Sequence, residues 1–202
     1  MNEIRLPIQK RSLERLELVL LTTINLLENN HIEECSIQEI SEISGVPRNF
    51  IYQYFPTVNH LFSLIVNNYY VELNHYLKEK SEFYENLTAM LIFEDMIKNS
   101  SSFFNQNKAA SALILGGPIN IDGSNLHQTI NESIAKDLFH VLNNKKNPIL
   151  IKDENHIVYL VQLAVSLMRH SYFKYKEVTA ELQDEALFVC KIYMENKGYT
   201  LN

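Results

Sequence analysis

The segment Ser36–Leu61 limits the possible folds of this chain more than any other part of the sequence. Isoleucines at helical spacing fill the range Ile37–Ile43 and run into Gly45, and a second short helix is predicted from Pro47 onward. Glycine accepts a left-handed backbone, and proline suits a first helical turn because its missing N–H would be unpaired there. The pattern predicts a helix-turn-helix whose second helix reads a groove of DNA.

This segment resembles the corresponding region of the TetR family of bacterial transcription regulators. That family usually has Ser or Thr opening the second helix, Ala-Gly-Val at the turn, and an aromatic run closing the third helix. The chain keeps the following residues at the family's spacing: Ser36, Ile40, Gly45, Val46, Ile51, Tyr52, Tyr54 and Phe55. The resemblance covers roughly the first third of the chain, and beyond it only the helical layout and the length agree.

The resemblance implies an all-α fold of about nine helices. It places a three-helix, helix-turn-helix DNA-binding domain at residues 1–60 and a helical effector-binding and dimerisation domain at 61–202. The 5 glycines and 5 prolines interrupt no long periodic stretch, so most of the chain is predicted to be helical. In the second domain, turns are expected near Ser81, 99–102, 116–123 and 143–153, and helices at about 85–98, 103–115, 125–142, 154–175 and 179–197.

The first helix is predicted to run from Lys10 to Asn29, after an arm that contains Pro7. Ser36 is the predicted N-cap of the second helix, and Glu39 would complete a capping box three residues later. Apolar residues at helical spacing give the first helix a predicted core stripe: Leu13, Leu16, Leu20, Ile24 and Leu27.

The reading helix carries polar side chains suited to base recognition. Arg48 can bind a guanine edge with two hydrogen bonds or clasp a phosphate, and Asn49 or Gln53 can pair with adenine. Tyr52 and Tyr54 match family positions whose hydroxyls commonly touch phosphates, although Tyr52 could instead pack inside the domain. The predicted DNA contacts are Ser36, Gln38, Pro47, Arg48, Asn49, Phe50, Tyr52, Gln53, Tyr54 and, nearer the N-terminus, Arg5, Lys10 and Arg11.

Two residues depart from the family pattern. Phe50 stands where the family usually has a small Thr or Ser, so it either presses on a thymine methyl or packs against a neighbour. Val58 replaces a Lys that binds a phosphate in relatives, so we expect lower DNA affinity and a weaker salt dependence. Near the N-terminus, Arg5 could enter a minor groove, or the basic residues there could form a solvated end of the first helix.

The net charge of −6 argues against non-specific nucleic-acid binding as the whole function. Within residues 1–60, 5 basic residues stand against 8 glutamates. Four of those cations lie in the first fifteen residues and the fifth opens the reading helix. A positive docking face is therefore compatible with an acidic protein.

The last two predicted helices are apolar nearly all round, so both sides of each are expected to be buried. One side would pack on the rest of the domain and the other on a twofold mate, which forms a four-helix dimer interface. Two reading helices about 34–36 Å apart would then favour a near-palindromic operator. The predicted interface residues are Val158, Val161, Val165, Met168, Leu182, Ala186, Val189 and Tyr193.

Large side chains in the second domain form either a core or an effector pocket. The resemblance favours a pocket, since bodies of the family usually enclose a ligand, and Gly116 and Gly117 could open an entrance. An apolar or aromatic effector is expected, because such pockets bind mainly by apolar burial. The predicted lining is Phe83, Met90, Phe93, Phe103, Phe104, His127, Asn131 and Tyr159.

Other classes of function find little support in the sequence. The chain has no phosphate-binding glycine loop, metalloprotease motif or nucleophile elbow, so it is not expected to be an enzyme or to use a metal or cofactor. Cys35 and Cys190 read as packed thiols in a reducing cytoplasm, and no segment suits a membrane. Two alternatives stay open: the same fold governed by a protein partner or by no effector, and an all-helical enzyme or carrier.

Overall fold

A computed structural model describes residues 7, 9–29, 32–79, 81–117 and 126–201, and within these ranges the regular structure is entirely helical. A 3₁₀ turn at Ile32–Glu34 and one helical turn at Ser81–Tyr84 are the short elements. The predicted all-α class is confirmed. The nine helices of the described ranges are α1 (Lys10–Asn29), α2 (Ile37–Ser44), α3 (Arg48–Tyr54), α4 (Val58–Glu79), α5 (Ala89–Gln106), α6 (Lys108–Ala110 continued by a π-helical turn, Ser111–Leu115), α7 (Leu126–Asn144), α8 (Asn155–Tyr175) and α9 (Ala180–Asn196).

The chain divides into two compact units. The head unit comprises the described residues of Met1–Tyr69 together with those of Lys108–Leu126. The body unit comprises the described residues of Tyr70–Asn107 and His127–Asn202. The head unit thus extends past residue 60 into α4 and also takes in α6.

The buried face of α1 agrees with the predicted stripe at Leu16 and Leu27 and differs from it elsewhere. Val19 and Thr23 have no exposed surface, whereas Leu13 is 37 % exposed and Leu20 and Ile24 are half-buried. The Thr23 hydroxyl donates a hydrogen bond to the Val19 carbonyl at 2.7 Å. Because that bond satisfies its polar atom, threonine can occupy the core and the buried face is rotated.

The helix-turn-helix core is formed largely by the predicted residues. Ile40, Ile51 and Phe55 are almost completely buried. Ile43, the last isoleucine at that helical spacing, is 60 % exposed. Helix α2 ends at Ser44, and Ile43 lies on the side of its last turn that faces solvent.

The π-helical turn of α6 contributes a fully buried segment to the head unit, where Lys108–Ala110 packs on α1. The predicted break at Gly116 is confirmed, since the helix ends at Leu115. A Cβ atom added to Gly117 would lie 2.2 Å from the Leu113 carbonyl oxygen, so this close approach requires glycine. Residues 118–123, the remainder of the turn predicted at 116–123, lie outside the described ranges.

In the body unit, α5 runs without interruption through the turn predicted at 99–102. That prediction was wrong because serine can satisfy itself within a helix. The hydroxyl of Ser101, which is fully buried, donates to the Ile97 carbonyl at 2.7 Å. Helix α9 packs on both α8 and α5. Within the described ranges, every helix falls short of the length and apolar content that crossing a membrane requires.

Candidate functional site

The turn between α2 and α3 is fixed by local hydrogen bonds. Gly45 adopts a left-handed backbone with φ 68°, as its sequence position predicts, and its N–H donates to the Ser41 carbonyl. The Ser41 hydroxyl also donates to the Val46 carbonyl at 2.7 Å, and the Ser44 hydroxyl accepts from the Val46 N–H at 3.2 Å. These bonds set the direction in which α3 leaves the turn.

Ser36 caps α2 as predicted. Its exposed hydroxyl accepts a hydrogen bond from the Glu39 N–H at 3.2 Å. The hydroxyl can still donate, so contact with a phosphate remains open to it.

Helix α3 presents a polar outer face. Arg48, Asn49 and Gln53 are exposed, and Tyr52 is 50 % exposed, so its ring is not part of the head core. Pro47 directly precedes the helix, and its carbonyl accepts the Phe50 N–H at 2.9 Å. The three residues predicted to read bases therefore lie together on one short, solvent-facing helix.

Phe50 packs against neighbours within the head unit. The Arg15 guanidinium of α1 lies 5.6 Å from its ring centroid, and the Tyr54 ring meets it edge-on at 5.2 Å. Phe50 and Tyr54 are both half-buried. This arrangement favours the packing role among the two roles predicted for Phe50, and it ties α3 to α1.

Arg48 is held by a carboxylate that the sequence reasoning did not single out. Its Nη2 lies 3.1 Å from Oε1 of Glu42. The same oxygen accepts a hydrogen bond of 3.0 Å from Nε2 of Gln38, which lies one helical turn earlier in α2. The sequence contains a signal for this network, because residues 38 and 42 share a helix face and the Gly45 turn brings the chain back.

The N-terminal cations are only partly described. Lys10 and Arg11 begin α1 and are exposed, as phosphate contacts must be. Arg5, the predicted minor-groove residue, lies outside the described residues.

Within the body unit, most of the predicted effector lining is buried. Phe93, Phe104, His127 and Asn131 are buried, and Met90 and Phe103 are half-buried. The Phe103 and Phe104 rings meet at 5.7 Å. This cluster is consistent with either a core or a pocket lining.

Two predicted lining residues are misplaced. Phe83 is 58 % exposed because the inward position of its single helical turn belongs to Tyr84, whose hydroxyl donates to Asp95 at 2.8 Å. Tyr159 is 54 % exposed because α8 turns Ile157 and Leu160 inward instead.

Sequence reasoning missed several buried polar groups of the body unit. Asn74 Oδ1 and Asn99 Nδ2 are buried and make no hydrogen bond within the described residues. Burial raises the pKa of Tyr70, and the nearby Arg169 guanidinium opposes that rise. A buried polar atom without a hydrogen-bond partner is costly to stability, so these two atoms need an explanation.

The predicted dimer residues are partly used inside the single chain. Ala186 has no exposed surface, Met168 is 3 % exposed and Val161 is 8 % exposed. Because these three side chains are buried within the single chain, they offer little surface to a second copy. The remaining predicted residues, Val158, Val165, Leu182, Val189 and Tyr193, are half-buried.

The outer face of α8 and α9 carries exposed apolar side chains at helical spacing. We call Tyr159, Leu163, Phe188 and Ile192 the outer apolar face; their exposed fractions are 54 %, 39 %, 59 % and 49 %. A groove of about 360 Å³ runs along this face and is lined in part by Leu163, Phe188 and Ile192. Contiguous exposed apolar surface of this kind typically marks an interaction site.

The thiols have no reactive environment. Burial raises the pKa of Cys35 to about 12, and the Glu39 carboxylate adds to that rise. Burial alone raises the pKa of Cys190 to about 12. Among the described residues, the side chains that ligate metals form no group of three or more.

Comparisons with known proteins point to one fold. No protein-family model and no curated protein sequence matches the chain. A TetR transcriptional regulator from Rhodococcus sp. RHA1 superposes with a TM-score of 0.66 at 15 % identity, over 93 % of this chain and 98 % of that one. A TetR-family regulator from Streptomyces coelicolor gives 0.63 at 18 % identity, over 92 % and 82 %. A structure described as the molecular basis for control of antibiotic production by bacterial hormones gives 0.56 at 14 % identity, over 90 % and 96 %.

Proposed function

We propose that this chain, whose fold is that of TetR-family transcriptional regulators, is a homodimeric DNA-binding repressor of the cytoplasm. It binds a near-palindromic operator through α2 and α3 and is released by a small apolar or aromatic effector. The observation that carries the proposal is the exposed set Arg48, Asn49 and Gln53 on α3, directly after the left-handed turn at Gly45. Guanidinium and amide groups have the donors and acceptors that major-groove base edges require.

A dimer accounts for the outer apolar face. Its four side chains leave α8 and α9 with an uncovered apolar surface that a twofold mate would bury, together with the half-buried predicted residues Val189 and Tyr193, which line the same groove. A twofold dimer presents two reading helices and so matches a near-palindromic site. The oligomer and the operator symmetry are therefore one linked proposal.

An effector site in the body unit is supported by its aromatic and amide groups. Phe93 and Phe104 supply apolar surface, and Asn74 and Asn99 supply polar atoms without partners in the described residues. The similar structure that concerns control by bacterial hormones adds support for regulation by a signal molecule. Helix α4 contributes residues to both units, so a shift of this helix would reach the head.

The DNA-binding proposal is tested by selection of bound duplexes from a random pool by the purified full chain. The expected result is an enriched near-palindrome. Arg48→Ala and Gln53→Ala should each cost about 1–3 kcal/mol and relax preference at separate base positions. An equal loss of affinity for all DNA sequences would instead indicate that these residues contact phosphates. If wild type enriches no sequence from the pool, the result would favour an all-helical enzyme or carrier.

The effector proposal is tested separately with anilinonaphthalene sulfonate, an apolar fluorescent probe that also carries a polar group. We expect saturable binding to the full chain and a lower affinity for the selected operator when the probe is bound. By linkage, operator DNA should weaken probe binding by the same factor. Saturable probe binding with unchanged DNA affinity would favour control by a protein partner or by no effector.

A further inference from the structure

The ion pair between Glu42 and Arg48 has a consequence for how the head recognises DNA, and this consequence depends on the proposed function. Both side chains are largely solvent-facing, with 61 % of the Glu42 side chain and 47 % of the Arg48 side chain exposed. An exposed pair of this kind contributes little to folding, about 0–1 kcal/mol. Folding stability therefore does not explain why this ion pair lies beside the reading helix.

A carboxylate beside a DNA-reading arginine weakens the electrostatic attraction between the head and DNA. It repels phosphates and neutralises one of the few cations of an acidic head. Gln38 donates to the same oxygen that Arg48 binds, so the carboxylate is held in place from its own helix. The guanidinium engages it through Nη2 and retains further N–H donors.

This geometry separates two ways in which Arg48 could bind DNA. A guanine edge needs two parallel donors in a fixed direction and carries no formal charge. A phosphate is a full anion, and its approach to Arg48 would bring it close to the Glu42 carboxylate. The guanine contact can therefore coexist with the ion pair, whereas the phosphate contact opposes it.

We propose that Glu42 is a specificity-determining residue, which positions Arg48 for a guanine edge and discourages Arg48 from binding phosphates non-specifically. Gln38, which was predicted to contact DNA directly, orients Glu42 in this arrangement. The chain thereby gives up part of its general affinity for DNA in return for discrimination between sequences.

The test compares Glu42→Gln with wild type on two duplexes of equal length, the selected operator and an unrelated sequence, over a range of salt concentrations. For the variant, we expect binding to the unrelated duplex to tighten about 10-fold and its salt slope to steepen by about 0.9, the value of one phosphate contact. Discrimination between guanine and other bases should fall about 10-fold at the position where Arg48→Ala relaxes specificity.

A matched control removes the same charge elsewhere in the head unit. Glu33, an exposed carboxylate of the 3₁₀ turn, is changed to glutamine for this purpose. Glu33→Gln should leave discrimination at the Arg48 position unchanged. Glu42→Asp keeps the charge but shortens the side chain, so it should restore repulsion of phosphates while leaving Arg48 less firmly directed at guanine.

The double variant Glu42→Gln with Arg48→Ala decides whether the effect runs through Arg48. In the absence of the arginine, Glu42→Gln should change binding no more than Glu33→Gln does. The inference is overturned if Glu42→Gln matches Glu33→Gln in the wild-type background, or if its effect survives without Arg48. If wild type still selects an operator, either of these results overturns only the role of Glu42 and leaves the proposed regulator function intact. If wild type selects no DNA sequence, both the role of Glu42 and the proposed function are overturned.

Discussion

Asn105 and Val178 exchange two hydrogen bonds that tie the turn between α8 and α9 to α5. Asn105 Nδ2 donates to the Val178 carbonyl at 2.9 Å, and the Val178 N–H donates to Asn105 Oδ1 at 2.8 Å. A second anchor holds the same turn, since the Ser171 hydroxyl donates to the Glu177 carbonyl and accepts the Thr179 N–H. The two helices that carry the outer apolar face are thus held in register at one end.

Asn105→Ala should lower the free energy of unfolding by about 1–3 kcal/mol, because it leaves the N–H of Val178 buried without a partner. Val178 is only 2 % exposed, so water cannot replace the lost side chain without a rearrangement. Urea unfolding of the full chain measures the loss. Gln106→Ala is the control, since among the described residues the side chain of that exposed neighbour bonds only the Ser102 hydroxyl, and an equal loss in both variants would contradict a specific role for the pair.

The outer apolar face gives a prediction about assembly. Leu163→Glu and Phe188→Glu would each bury a carboxylate in a dimer interface, so we expect the dissociation constant to rise at least about 10-fold, measured by sedimentation equilibrium. Leu150→Glu is a matched control, because Leu150 is 71 % exposed in a loop of the same unit. A wild-type chain that sediments as a monomer would remove the linked proposal of a near-palindromic operator.

The head was the part most open to prediction from sequence, because local rules determine it. A left-handed residue at Gly45, the cap at Ser36 and the inward positions of Ile51 and Phe55 follow from backbone preference and helical spacing within a few residues. Those features needed no knowledge of the rest of the chain.

The failures arise where polar groups are satisfied in ways that spacing does not reveal. Thr23 and Ser101 are buried because each hydroxyl bonds a carbonyl of its own helix, which turned the face of α1 and removed a predicted turn in α5. Tyr159, predicted to line a pocket, is exposed, and Met168, predicted to face a second copy, is buried in its own chain, because a helix rich in apolar residues does not disclose which side meets its own chain. The side of each helix that is buried is determined by the packing of α9 on α5 and α8.

The buried thiols allow a prediction about pH. The raised pKa values of Cys35 and Cys190, about 12 each, keep both thiols protonated in the native state at pH 8, and burial excludes reagents as well. Since unfolding lowers each thiol to its ordinary pKa, labelling with a maleimide should occur only in denaturant. Rapid labelling of the native protein at pH 8, followed by mass spectrometry, would show that either site opens readily.

Val58 offers the sharpest test of how the head meets the backbone of DNA. It is the half-buried first residue of α4, and the resemblance to TetR regulators implies a phosphate-binding lysine at this position. Val58→Lys should add one phosphate contact, so the salt slope of binding should steepen by about 0.9 and affinity at low salt should rise for operator and unrelated duplexes alike. The ratio between the two affinities should stay the same, because a phosphate contact carries no sequence information.

Leu21→Lys supplies the control for Val58→Lys. Leu21 is 64 % exposed on α1 and lies outside α2, α3 and the first turn of α4, so the variant makes the same change in net charge without the proposed contact. Leu21→Lys should raise DNA affinity only through the long-range electrostatic attraction of one added positive charge. Salt screens that attraction, but the salt slope should not steepen as it does for a direct phosphate contact. Equal slopes for the two lysine variants would mean that the first turn of α4 does not approach a phosphate.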